Sequence, residues 1–598
     1  MNTLLLALSD KPEVDVSAHL EQATTLGLWA IALLVAFFVV RPELWARLFL
    51  QRIDPRPAGL MRIGFGLVVF WTFVDFVIPH PPLDVSMARY LFTDEGMWLT
   101  DQARKNYGGK LATLWDPEHG FEYWHGIFMA MWDKFTILHF RSDPTFVFTI
   151  YGLMFVSVGL MILGVWTRWT TILAWVLVES LYRYSPLFYT GGDTVTRVFL
   201  FLGVFVRWGE AYSFDSWRRR RKAILRGAER FPALRKIPAW PMRLMMLQLA
   251  IIYCATGLLK SGATWANGTA LYYSLNLDHF YRFPQQTAVS AFTQYIKVLP
   301  FMTVFVRWWE VLFPLALLGV AINAFERDRR AGTWPQAALW RRSLGYLVFA
   351  AVWSIGAYLA GLGAHYFIPP NALPVAKSQL IPLFTGIVLA IPVAALALYH
   401  ALRRWLPRVF DFIRFWLLGK RFWLVFGFGM HIGIDIGMNV GTFAEVMMAV
   451  YLAWLSGTEI DAFWRYLASD PLAPGEGTRP VRKRKWQRVL LAPFDRLRHR
   501  KPGPVCTVLH HPDDASVRQA ALLRCWDLGH RLGFEADEDV PAGRLCVRMD
   551  GSLRQGRSAA AVLARVMPGL WWLRPFRHIP GFAKPAGAIA LRLLRQRA

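Results

Sequence analysis

The chain has 598 residues, of which 55% are hydrophobic and 15% aromatic, and its mean hydropathy is +0.31. A soluble domain of this length has no use for so much apolar side chain, so the composition excludes an ordinary globular enzyme and defines a polytopic membrane protein. The net charge of +26 would suit a nucleic-acid binder, but the basic residues fall in short blocks between apolar runs, where they set orientation, and no nucleic-acid partner is expected.

The opening MNTLLLALSDKPEVD lacks the basic start and small-residue cleavage site of a signal peptide, so the first span is expected to stay in the mature protein. A span takes about 17 to 25 apolar residues. By that measure about eleven follow, near 25–40, 58–79, 144–166, 169–189, 193–211, 241–259, 298–322, 344–366, 380–402, 420–438 and 440–456. The linkers alternate in charge. Arg41, Arg47, Arg52 and Arg56, then Arg168, then Arg218 to Lys222, then Glu326 to Arg330, then Arg403, Arg404 and Arg408 all fall on one side. The positive-inside rule makes that side the cytoplasm. The N-terminus is then outside and the C-terminus cytoplasmic, in agreement with VRKRKWQR at Val481 to Arg488.

In chain order the embedded ionisable groups begin with Glu179 in WVLVESLYR, which can pair with Arg183 at i, i+4. Asp193 opens the fifth span, where it can cap the helix or pair with Arg197. Lys260 closes the sixth span, in QLAIIYCATGLLKSGATWANG, and lies on the outer side by this count. It is either an interfacial anchor or an amine held for chemistry. Trp265, Gly268 and ALYYSLNLDHFYRF build an aromatic loop around it, in which a desolvated lysine would serve as a base near neutral pH. Glu310, in RWWEVLFP, can pair with Arg307 at i, i+3 or contribute to a site. In FGMHIGIDIGMNVGTFAEV, His431, Asp435 and Asn439 recur every four residues, on one helical face beside a row of glycines. That face is either interhelical glue or a proton relay and substrate site.

From about Lys501 onward the composition becomes that of a small α/β unit. Strands are expected at Val505 to Leu509 and Leu545 to Met549, with helices at Ala515 to Leu528 and Ser558 to Val566. The four cysteines, Cys254, Cys506, Cys525 and Cys546, make no Cys-x-x-Cys and no zinc spacing, so neither a disulfide scaffold nor a thiolate-bound metal is expected. His510, His511, Asp513 and Asp514 read as a polar turn rather than a metal site.

Taken together, MRIGFG at Met61 to Gly66, YTGGDTVTR at Tyr189 to Arg197, the Lys260 segment, RWWEVLFP and HIGIDIGMNVGTFAEV resemble the horizontally transferred transmembrane (HTTM) domain family, which includes vitamin K-dependent gamma-carboxylase. The likeness covers roughly 51–456 and is most specific at Tyr253, Gly257, Lys260, Trp265 and Gly268. It implies a reduced quinone as co-substrate and Lys260 as the base that deprotonates it. His431 falls on a carboxylase histidine. The chain departs from that enzyme at Gly191-Gly192-Asp193, where the carboxylase has Asn-Asn-His, and it has no large propeptide-binding region. The tail from Arg548 to Gly587 is similar to the DCC thiol-disulfide oxidoreductase-like family, which implies a thioredoxin-like fold; VLHHPDDASVRQ stands where that family has its Cys-x-x-Cys, so exchange chemistry is not implied.

The reading is therefore an all-α bundle of about eleven transmembrane helices in a bacterial inner membrane, followed by a degenerate cytoplasmic thioredoxin-like module. Its divisions are 1–50 with one extra span, 51–456 as the membrane domain, 457–500 as a basic linker and 501–598 as the tail. Two functions are carried forward. One is a carboxylase-like or quinol-dependent enzyme with an outward-facing site, with Lys260, His431 and Asp435 catalytic and Asp193, Arg197, Trp265, Glu310 and Asn439 in binding roles. The other is a non-enzymatic export, maturation or transport protein for a secreted peptide or lipid.

Overall fold

The computed structural model describes residues 17–79, 85–97, 136–139, 141–184, 190–226, 232–260, 262–280, 282, 298–333, 337–367, 375–460, 463, 505–527 and 532–567. The basic run 481–488, most of the 81–143 linker and the tail beyond 567 lie outside them. The described chain is mostly helical, and its residues divide into two compact units, one drawn from 1–52 and 238–439, the other from 53–237 and 440–598.

Six helices among the described residues are long and apolar enough to cross a membrane: His19–Val40, Arg56–Val77, Pro144–Leu163, Trp240–Leu259, Leu339–Tyr366 and Lys377–Trp405. Val298–Leu312 and Leu315–Arg330 together make a seventh if taken as one span bent by 46°. The bend falls at Phe313-Pro314, where proline supplies no N–H to the preceding turn. Four further spans expected from hydropathy coincide with shorter or more polar helices, Thr167–Tyr184, Gly191–Phe205, Lys420–Gly437 and Phe443–Val450.

In the first unit Ser17–Val40, Leu339–Phe367 and Leu380–Trp405 pack side by side, and Trp240–Leu259 packs on Val298–Leu312. Close approach in the second pair depends on Gly257, because a Cβ there would lie 2.7 Å from Val311 N and 2.9 Å from Glu310 Cβ.

In the second unit Arg56–Val77 packs on Pro144–Leu163, and its fully buried Arg62 donates to the carbonyls of Trp208 at 3.0 Å and Ala211 at 3.4 Å. Those bonds satisfy a charge that would otherwise be costly away from water. Asp215 accepts from Trp166 N at 3.0 Å and Thr167 N at 2.8 Å, supplying from a distance the cap that the Thr167–Tyr184 helix lacks locally.

The same unit contains a four-stranded sheet: β1 (Cys506–His510), β2 (Leu532–Ala536), β3 (Cys546–Met549) and β4 (Ser552–Gln555), in the order β2-β1-β3-β4. β1 and β2 are parallel, with Val508 opposite Phe534, and are linked by the crossover helix Asp514–Trp526. β1 with β3 and β3 with β4 are antiparallel, with Val508 opposite Val547 and Met549 opposite Ser552. The β3-β4 hairpin turns on Asp550 and Gly551, both at positive φ, as a tight two-residue connection requires. Strand β2, short and flanked by polar residues, and the fully exposed β4 are additions to the strands read from hydropathy.

Candidate functional site

Lys260 stands at the C-cap of the Trp240–Leu259 helix, its N–H bonded to Thr256 O at 3.1 Å. Its Nζ donates to Glu310 Oε2 at 2.5 Å. Thr256, one turn back, donates to the same carboxylate oxygen at 3.3 Å. Glu310 is therefore tied to the lysine of the neighbouring helix and not to Arg307 on its own. Gly257 explains the choice: with no side chain between the two helices, the carboxylate reaches across to the adjacent helix end.

Trp265 completes the surroundings of the amine, with Lys260 Nζ 5.5 Å from its ring centroid, within reach of the negative face. Trp265 lies on the short helix Ala263–Ala266, which Gly268 follows at φ +73°; a Cβ on Gly268 would lie 2.9 Å from Pro300 Cβ. Glycine is thus needed there twice over, for the backbone turn and for the contact that sets the loop against the next helix. Lys260 is 23% exposed and Glu310 9%, so the pair is shielded at the carboxylate and more open at the amine.

Two turns down the same helix, Tyr253 Oη meets His431 Nε2 at 2.7 Å. Both are almost fully buried, in a wall formed by Trp309, Phe313 and Trp423. His431 reaches this position because Trp423, Gly427 and His431 form the buried row of the Lys420–Gly437 helix. Asp435, one turn further, is directed instead to Arg282, at 2.9 Å. The helix ends at Gly437, so Asn439 lies beyond it and off the shared face that its spacing suggested. Its N–H is bonded to Phe280 O at 2.8 Å. Met438, extended at φ −140°, closes the helix with its N–H on Ile434 O.

Asp193 and Arg197 belong to the second unit. Asp193 is the third residue of its helix and accepts from Thr190 N at 2.7 Å and Thr190 Oγ1 at 2.9 Å, the N3 half of a capping box. Arg197 forks onto Glu179, with Nε at 2.8 Å from Oε2 and Nη2 at 2.5 Å from Oε1. Glu179 also takes Arg183 at 2.5 Å, as the i, i+4 spacing predicts. One carboxylate thus holds two guanidiniums, and of the two roles open to Asp193, capping and pairing with Arg197, its hydrogen bonds show capping.

In the tail Asp513 caps the Asp514–Trp526 helix through Ser516 N at 3.2 Å and accepts from His511 at 3.0 Å, so these residues have a local structural task. Trp217, on the basic helix Phe214–Leu225, donates to Cys525 O at 2.9 Å and packs its ring 5.2 Å from Trp526, fastening the sheet module to that helix. Spacing could not reveal this contact, since about 300 residues separate its partners.

The fold and this constellation define a helical chain that can cross a membrane at least six times and that keeps ion pairs within its helices. No family model matches the chain, and no curated protein or solved structure matches it.

Proposed function

We propose that this chain is a membrane enzyme of carboxylase-like or quinol-dependent type, with a site that opens on the outer face of the cell membrane and Lys260 as its base. The supporting observation is the 2.5 Å contact of Lys260 with Glu310 beside Trp265. A base must first give up its own proton. In an apolar setting an ammonium and a carboxylate in direct contact can become a neutral amine and a neutral acid by moving one proton along their hydrogen bond, which removes two charges from a poor solvent for them. The neutral amine can then take a proton from an acidic substrate O–H. His431, held by Tyr253, would orient the buried wall, and Asp435, held by Arg282, would stand nearer its opening.

A reduced quinone, the co-substrate implied by the HTTM resemblance, would supply an acidic hydroxyl when bound. Trp265 and the exposed Leu258 are of the chemistry that would hold its ring and tail. A secreted peptide is the second substrate class within this reading.

The proposal includes about eleven spans, the bent pair Val298–Leu312 with Leu315–Arg330 and the shorter helices at Thr167–Tyr184, Gly191–Phe205, Lys420–Gly437 and Phe443–Val450 making up the difference from the six long ones. It also places the N-terminus outside and the C-terminus in the cytoplasm, on the strength of the basic blocks. The tail is read as a degenerate DCC-like, thioredoxin-like docking module, for which its β-α-β-β-β-α order and its hold on Trp217 are the support.

Purified Lys260→Met should lose quinol oxidation or peptide modification while keeping its helical circular dichroism. Full activity in that variant would remove lysine from the role. If secreted peptides keep their masses in a deletion strain but fall in abundance outside the cell, the export reading replaces the enzyme.

A further inference from the structure

The Pro42–Phe49 helix begins two residues after the apolar Ser17–Val40 helix ends, and it packs near the basic last turn of Leu315–Arg330. Between the two lies a groove of about 230 Å³. Its floor is apolar, formed by Leu44, Leu48, Ile322 and Phe325, and its rim carries Arg47 and Arg327. Behind it Arg243 donates to Leu48 O at 3.4 Å.

The charges that face this groove do not balance. Among the described residues Asp328 is the one carboxylate lining it, and it is already held by Arg47 at 2.8 Å and Arg327 at 3.1 Å. Glu326, the next acid along the helix, is fully buried and engaged by Arg329 at 2.9 Å and by Tyr399. Two guanidiniums against one carboxylate leave one positive charge in excess beside an apolar trough. An inorganic anion would use only the rim, and a neutral lipid only the floor.

We propose that this groove binds one anionic phospholipid, its phosphate on Arg47 and Arg327 and the start of an acyl chain along Leu44, Leu48, Ile322 and Phe325. A basic pocket at the ends of apolar helices lies at the depth where phosphate headgroups begin, and Trp45 on the same short helix is the kind of residue that anchors at that level.

The test uses the full chain purified in detergent, with native mass spectrometry of lipid adducts. Phosphatidylglycerol and phosphatidylcholine of identical acyl chains are added in equal amounts. The wild type should retain phosphatidylglycerol over phosphatidylcholine by at least tenfold. Arg327→Gln, at a 67% exposed side chain, should lower phosphatidylglycerol retention about fivefold and leave phosphatidylcholine unchanged. Ala324→Trp, which fills the groove without changing charge, should reduce both lipids. Equal retention of the two lipids by the wild type would overturn the proposal, as would unchanged retention in Arg327→Gln. So would displacement of phosphatidylglycerol by millimolar inorganic phosphate, which would mark a site for free anions. Lys260→Met should not alter retention, so the outcome is independent of the catalytic reading.

Discussion

Replacing Lys260 by methionine and Glu310 by glutamine, singly and together, measures the contact on which the catalytic reading rests. At 2.5 Å and an effective dielectric of about 20, two unit charges attract by roughly 6 to 7 kcal/mol, most of which offsets the desolvation of bringing them there. The two single variants should differ because the two side chains differ in exposure, 9% for Glu310 and 23% for Lys260. In Lys260→Met a nearly buried carboxylate keeps only Thr256 as a hydrogen-bond donor, and a loss of about 3 kcal/mol is expected. In Glu310→Gln the lysine can extend its ammonium toward the interface, so the loss should be about 1 kcal/mol. The double variant should lose about 2 kcal/mol, less than the sum of the singles, which corresponds to a coupling of about 2 kcal/mol. Unfolding of the purified protein in mixed micelles, followed by circular dichroism against denaturing detergent, gives each value. Equal small losses that simply add would show that the amine and carboxylate do not meet, and the proton-transfer argument would go with them.

Two further predictions concern packing and thiol chemistry. Gly257→Ala adds a Cβ 2.7 Å from Val311 N, an overlap with backbone that no rotamer can relieve. Overpacking of about 1 to 3 kcal/mol outweighs the roughly 1 kcal/mol that alanine gains in a helix, so a net loss near 1 kcal/mol is expected in the same assay. A variant as stable as the parent would mean that the two helices do not approach so closely. In the tail, burial pushes the Cys525 thiol up to about 11, against the opposing pull of Arg221 and Arg220. The thiol is protonated and unreactive at neutral pH, and alkylation by iodoacetamide, followed by peptide mass spectrometry, should accelerate only as the pH rises towards 11. Rapid labelling at pH 7 would contradict this.

Features that depend on near neighbours along the chain are legible in the order of the amino acids. Of the eleven or so spans that apolar runs announced, six are helices long and apolar enough to cross a membrane, because a helix satisfies its own backbone wherever water is absent. Glu179 with Arg183, and Asp193 as a helix-start residue, were legible because their partners lie within a turn. Strand β1, the Asp514–Trp526 helix and strand β3 followed from apolar periodicity and β-branched composition. Tertiary structure alone decided which distant groups meet. Glu310 had a cation three residues away in Arg307 and took Lys260 instead, fifty positions distant, because Gly257 lets two backbones close to a distance that no local rule encodes. Arg197 met Glu179, Asp435 met Arg282 and His431 met Tyr253, partners that no spacing along the chain specifies. Helical periodicity says which face a side chain occupies, whereas its partner depends on how two helices cross, and that is a property of the packed bundle and not of either segment.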